Sequence, residues 1–149
     1  MPEIPADVFS LNYDAAQHLL VGHWLRDSGE EDLYPSYERL LATAKAHGNC
    51  RFWLLDMQLR NWHTATFTKW FSELLTNQAV REVGSPIFVA YVAAEIHRAE
   101  IESVSTAAML RQSAQAEFYP FFFNSEAAAR EWLAYYQSHP GQAPPTPVA

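Results

Sequence analysis

Cysteine is nearly absent: Cys50 is the only one in 149 residues. No intrachain disulfide can form, and a lone thiol of this kind reads as a small, buried, inert side chain. Positive charge is scarce too. Ten Lys and Arg stand against seventeen Asp and Glu, a formal net charge of −7, and the basic residues are scattered. That pattern gives no footprint for nucleic acid or for an anionic membrane surface. No apolar run approaches the roughly 20 residues of a membrane helix. The opening Met1-Pro2-Glu3-Ile4-Pro5 lacks the basic and apolar regions of a signal peptide. The expectation is a soluble cytoplasmic protein. Glycines number five and are dispersed, so they build no phosphate-cradling loop, and no Gly-x-Ser-x-Gly elbow occurs. No catalytic residue and no cofactor is expected.

Apolar residues, by contrast, make up 49% of the chain and aromatics 14%, which excludes a disordered chain. A chain of this length suits one domain that buries roughly 68–70% of its unfolded surface without a disulfide or metal. The strongest single signal is Cys50-Arg51-Phe52-Trp53-Leu54-Leu55-Asp56-Met57, an almost continuous apolar run following the Gly48-Asn49 break. It reads as a central strand covered on both faces, from Phe52 to Leu55, with Asp56 at its carboxyl end.

The remaining elements follow from periodicity. Val8 to Tyr13 alternates as a half-exposed strand, and Asp14 to Gln17 supplies a turn. His18 to Leu25 makes the second strand of a hairpin, in which Gly22 marks a bulge or a close approach. Pro35 opens a helix whose stripe is Tyr37, Leu40, Leu41 and Ala44 and whose end is His47-Gly48. After Asp56, an irregular stretch from Gln58 to Ala65 leads to a second helix, capped by Thr64 or Thr66, with the stripe Phe67, Trp70, Phe71, Leu74 and Leu75. Ile87 to Val92 is a buried strand, Glu95 to about Leu110 a weakly striped helix, and Phe118 to Phe123 a strand whose Pro120 suits an edge. Ser125 caps a last helix carrying Ala129, Trp132, Leu133 and Tyr136 on one face. The expected fold is α/β, in the order β-β-α-β-α-β-α-β-α: a single mixed, mostly parallel sheet with an N-terminal antiparallel hairpin and flanking helices. Residues 1–137 form one domain, and the Pro-rich residues 138–149 read as a disordered tail.

Three stretches carry a family resemblance. They are Phe52-Trp53-Leu54-Leu55-Asp56 followed by Arg60 and a helix containing Trp70, the strand Ser85-Pro86-Ile87-Phe88-Val89-Ala90-Tyr91-Val92, and Phe121-Phe122-Phe123-Asn124-Ser125-Glu126 running into Trp132-Leu133. In this order they resemble the STAS fold in its SpoIIAA-like branch, from about Val8 to Tyr136. The resemblance implies a non-catalytic regulatory or protein-interaction module, with a homodimer among its options. Anti-sigma-factor antagonists of that fold carry Asp-Ser-Ser-Gly-like residues after the central strand and are phosphorylated on serine. This chain has Arg60-Asn61-Trp62-His63-Thr64-Ala65-Thr66 there, which leaves only Thr64 or Thr66 to be modified.

Leu54-Leu55-Asp56-Met57 also looks like a receiver phosphoacceptor strand, but the acidic pair that would hold Mg²⁺ beside it is missing. No histidines pair at i, i+4 with a carboxylate, so no metal site is expected. His18 and His23 read as surface or half-buried strand residues, and Glu95, His97 and Glu100 as a solvated helix face. The candidate site is the mouth at the carboxyl end of the central strand, formed by Asp56, Arg60, Trp62, His63, Thr64 and Tyr91. There, Arg60 and His63 beside a helix start would suit a carboxylate or phosphate, and Trp62 a partner surface. The competing reading is structural: Asp56 bonds backbone N–H groups of the next turn, Arg60 pairs with Asp56, and Trp62 is a lid on the core. The implied ligand is therefore another protein or an anionic or apolar small molecule.

Overall fold

In the computed structural model, residues 8–26, 33–59, 76–94 and 104–144 are described. Their elements run β1 (Phe9–Asp14), β2 (Leu19–Trp24), α1 (Leu33–Ala46), β3 (Phe52–Asp56), α2 (Thr76–Val83), β4 (Ile87–Val92), α3 (Val104–Gln115), β5 (Phe118–Phe123) and α4 (Glu126–Ser138). The five strands form one sheet in the order β1-β2-β3-β4-β5. Only the β1–β2 pair is antiparallel; β2–β3, β3–β4 and β4–β5 are parallel. β3 is therefore the middle strand, as its apolar run requires, and Pro120 lies in the edge strand β5, whose free side asks for no ladder N–H.

A sheet built in consecutive order has a consequence for its helices. Right-handed crossovers that always step in the same direction place their helices on the same face. Tyr37, Leu40, Leu41 and Ala44 of α1 and Ala79 and Val83 of α2 do share one core with the inward residues Phe9, Leu20, Trp24, Trp53, Leu55, Val89 and Tyr91. The opposite face is covered by α4, whose Ala129, Leu133 and Tyr136 pack on Leu19, Val21, Leu54, Phe88, Ala90 and Val92. α3 lies along β5; its Leu110 packs against the first core and its Ala114 against the second. β3 and β4 are sandwiched between the two layers, so their runs have no polar face.

Local chemistry fixes the joints. In α1, Pro35 sits within the first turn, where its missing N–H costs nothing. The helix ends as expected: Gly48 takes φ +70° and the Cys50 N–H donates to the Ala44 carbonyl at 3.0 Å. Ser125 caps α4, its hydroxyl accepting from the Ala128 N–H at 3.2 Å. Gly22 is a close approach, not a bulge, because the β1–β2 register is unbroken. A Cβ there would lie 2.9 Å from Leu55 Cδ2 and 3.0 Å from the Phe9 ring. The indole N–H groups of the buried tryptophans are satisfied: Trp24 donates to Ser36 Oγ at 3.1 Å and Trp53 to the Cys50 carbonyl at 2.8 Å. Cys50 is itself fully buried, and burial pushes its thiol pKa up.

Two details, at β2 and β3, differ from the pattern-based expectation. His18 is in the turn, at φ +54°, instead of opening β2. Phe52 is half-buried, not sealed like Trp53, Leu54 and Leu55, because it borders the open groove beside α4 at the amino end of β3. The striped segment Phe67 to Leu75, its caps Thr64 and Thr66, and the first part of the Glu95–Leu110 helix, with His97 and Glu100, lie outside the described residues. Among the described residues, no helix is long and apolar enough to cross a membrane.

Candidate functional site

Asp56 ends β3 on the α4 face of the sheet, two residues beyond Leu54, which points the same way. Its carboxylate is engaged locally: Oδ1 accepts the Gln58 backbone N–H at 3.0 Å, and both oxygens accept from the Gln58 side-chain amide at 3.2 Å. The turn-bonding reading of Asp56 is thus realised, and the side chain remains half-buried at the strand end.

Tyr91 does not join it. In register, Leu55 faces Tyr91 and Asp56 faces Val92, so Tyr91 points to the opposite layer. It is 1% exposed there, stacks on Phe122, and shares a 2.7 Å hydroxyl–hydroxyl bond with Tyr37. Burial, and secondly the Tyr37 hydroxyl, raise its phenol well above the ordinary range. Tyr91 is a core residue with a satisfied polar tip. Arg60, Trp62, His63 and Thr64 lie outside the described residues.

Two residues absent from the expected site meet Asp56 instead. His23 is the register partner of Asp56 on β2 and points to the same face. Glu126, in the first turn of α4, reaches His23 from above, with Oε1 at 3.3 Å from Nε2. His23 Nε2 and one oxygen each from Asp56 and Glu126 all lie within 4.8 Å of one another, and all three residues are half-buried. The other oxygen of Glu126 accepts from Arg130 Nε, also at 3.3 Å, across one turn of α4. Arg130 in turn donates to Gln17 Oε1 at 2.7 Å and lies 3.7 Å from the Asp14 carboxylate. Two turns further, the Gln137 amide donates to the carbonyls of Gln17 and His18 at 2.9 and 3.2 Å. These bonds hold α4 onto the hairpin turn while its N-terminus sits over the strand ends.

An open groove of about 560 Å³ lies beneath the middle of α4, at the amino ends of β2 and β3. Its floor is Leu19 and Phe52, and Arg130, Gln17 and Gln137 supply polar tips. Arg130 therefore borders both the groove and the cluster at the carboxyl edge.

The sequence carried a partial signal for this cluster. His23 and Asp56 are the polar residues at the carboxyl ends of two apolar strands, and both sit at α4-facing positions by strand parity. The third member, Glu126, is 103 residues from His23, and local spacing has no means of connecting the two. Comparisons with protein-family models, with curated proteins and with solved structures find no match for this chain.

Proposed function

We propose that the chain is a non-catalytic, STAS-like regulatory or protein-interaction module of the cytoplasm, working through the carboxyl edge of its sheet. The observation that supports this reading is the consecutive strand order with an antiparallel start. Open α/β sheets that bind substrates deeply do so in a crevice where the strand order reverses and neighbouring crossovers leave on opposite faces. An order of 1-2-3-4-5 has no such reversal. A surface at the strand ends, with Asp56 and the segment that follows it, is then the natural place for recognition, and the element order agrees with the STAS resemblance. The test is a pull-down from native lysate of the source organism with the tagged full chain. A reproducible partner lost in both Arg60→Ala and Trp62→Ala is the expected result. No partner in any growth state, or one retained by both variants, overturns the reading.

A second reading, small-molecule binding, is favoured by one observation: the groove over Phe52. It lies at the opposite end of β3 from the mouth that the sequence pattern pointed to, and its apolar floor suits an apolar ligand. Native mass spectrometry of freshly purified protein tests it. An adduct that disappears in Ala134→Trp, which fills the groove from α4, is the expected outcome; a bare mass sinks the reading.

A further inference from the structure

We propose that His23, Asp56 and Glu126 form a binding site for a first-row divalent cation, with Zn²⁺ the best match. The three ligands come from three separate elements, β2, β3 and the start of α4, and converge where the sheet edge meets the helix. The donor set is one imidazole and two carboxylates. Imidazole selects first-row transition metals over Mg²⁺ and Ca²⁺, which prefer all-oxygen shells.

The spacing fits. Zn–N and Zn–O bonds of about 2.0–2.2 Å put tetrahedral ligand atoms roughly 3.3–3.5 Å apart. His23 Nε2 and Glu126 Oε1 are already at 3.3 Å. Asp56 completes the triangle within 4.8 Å, a gap that small side-chain rotations close. With three protein ligands, all half-buried, a fourth position is left for water or a partner's side chain.

Both carboxylates also have the outer partners that metal-binding carboxylates use for orientation. The Gln58 backbone and side chain hold Asp56, and Arg130 holds the oxygen of Glu126 that is turned away from His23. The positive charge of Arg130 is shared with Asp14, so it does not cancel both carboxylates of the site. The α4 N-terminus opposes a cation, but its partial charge is about half a unit against two full negative charges.

The proposal is tested by calorimetric titration of the full chain with ZnCl₂ in a non-chelating buffer, followed by metal analysis after dialysis. One Zn²⁺ per chain is expected, displaced by excess Co²⁺ more readily than by excess Mg²⁺. His23→Ala and Glu126→Gln should each weaken binding by at least the roughly 10–100-fold seen when only an outer partner is removed. His139→Ala, remote on the exposed end of α4, should leave it unchanged. Glu126 is 40% exposed, so Glu126→Gln keeps the fold and remains informative if His23→Ala does not. On Zn²⁺ addition, the His23 imidazole NMR signals should shift first. Absence of Zn²⁺ uptake, or uptake unaffected by Glu126→Gln, overturns the proposal.

Discussion

The two faces of the sheet are built from the same alternating strands but are closed in different ways. On one face, two helices laid side by side seal the large aromatic residues: Phe9, Trp24, Trp53, Tyr91 and Phe118 are at most 2% exposed. On the other, α4 supplies most of the helical cover among the described residues. There Leu19, Leu54, Ala90 and Val92 of the strands and Leu133 of α4 are equally buried. Phe52 and Phe123 of the strands and Trp132 of α4 itself are only partly covered, and His23, Asp56 and Glu126 sit at one end of the helix. Trp132 compensates by packing on Phe88, Phe121, Phe123 and Tyr136. Among the described residues, the face under α1 and α2 is sealed aromatic packing, whereas the α4 face keeps a margin with half-exposed polar groups and a groove. On this comparison, the half-exposed polar cluster and the groove both belong to the α4 face.

The largest effect that separates the faces is expected from a buried charge. Leu55→Asp puts an unpaired carboxylate in the sealed layer, at a cost of several kcal/mol against a total stability of about 5–15 kcal/mol, and should leave no cooperative thermal transition. Phe52→Asp faces the groove and should remain folded with a lowered Tm. Equal losses in circular dichroism would erase the distinction between the layers. Gly22→Val comes next. Its side chain would press on Leu55 and Phe9, and overpacking of this kind costs about 1–3 kcal/mol, read as a lower midpoint in urea.

Tyr91→Phe removes one hydroxyl from the buried pair with Tyr37 and should cost about 1 kcal/mol at neutral pH. It also sharpens the comparison through pH. The phenol is raised in the folded state, so folding favours its neutral form. That contribution is fully present below the unfolded tyrosine pKa of about 10 and is lost as pH rises from there through the folded value. Stability of the wild type should therefore fall above about pH 10, and Tyr91→Phe should make the decline shallower.

The smallest effects are expected at the margins. Glu126→Gln should alter stability by less than about 0.5 kcal/mol in the absence of metal. Glu82→Gln on the outer surface of α2 should do about the same. Lys45, at 2.8 Å, and then Gln78 hold the Glu82 carboxyl below its usual range. Its contribution is present above the unfolded carboxylate pKa and disappears as pH falls through the folded value, so variant and wild type should converge in acid. A metal-free Glu126→Gln protein that unfolds would make the cluster a structural clasp and break the contrast.

Much of the fold was legible because its signals are local. Val8 to Tyr13 alternates with period two, Tyr37-Leu40-Leu41-Ala44 repeats as a helix stripe, and Ser125 and Gly48 mark helix ends by their own backbone chemistry. The site was legible only at Asp56. Placing Tyr91 beside it required a statement about parity across β3 and β4, and the register puts the two on opposite sides. Choosing His23 required knowing that β2 lies next to β3 with His23 opposite Asp56.

The sequence by itself determined the element order, the middle position of Phe52–Asp56, the edge position of the Pro120 strand and the caps of α1 and α4, since each depends on backbone propensities and side-chain periods within a few residues. Only the tertiary structure decided that α1 and α2 share a face while α4 crosses the other, that Tyr91 closes on Tyr37, and that His23 and Glu126 meet Asp56. Those outcomes depend on strand register, sheet order and the placement of one helix, which set contacts between residues as far as 103 positions apart and leave no trace in local spacing.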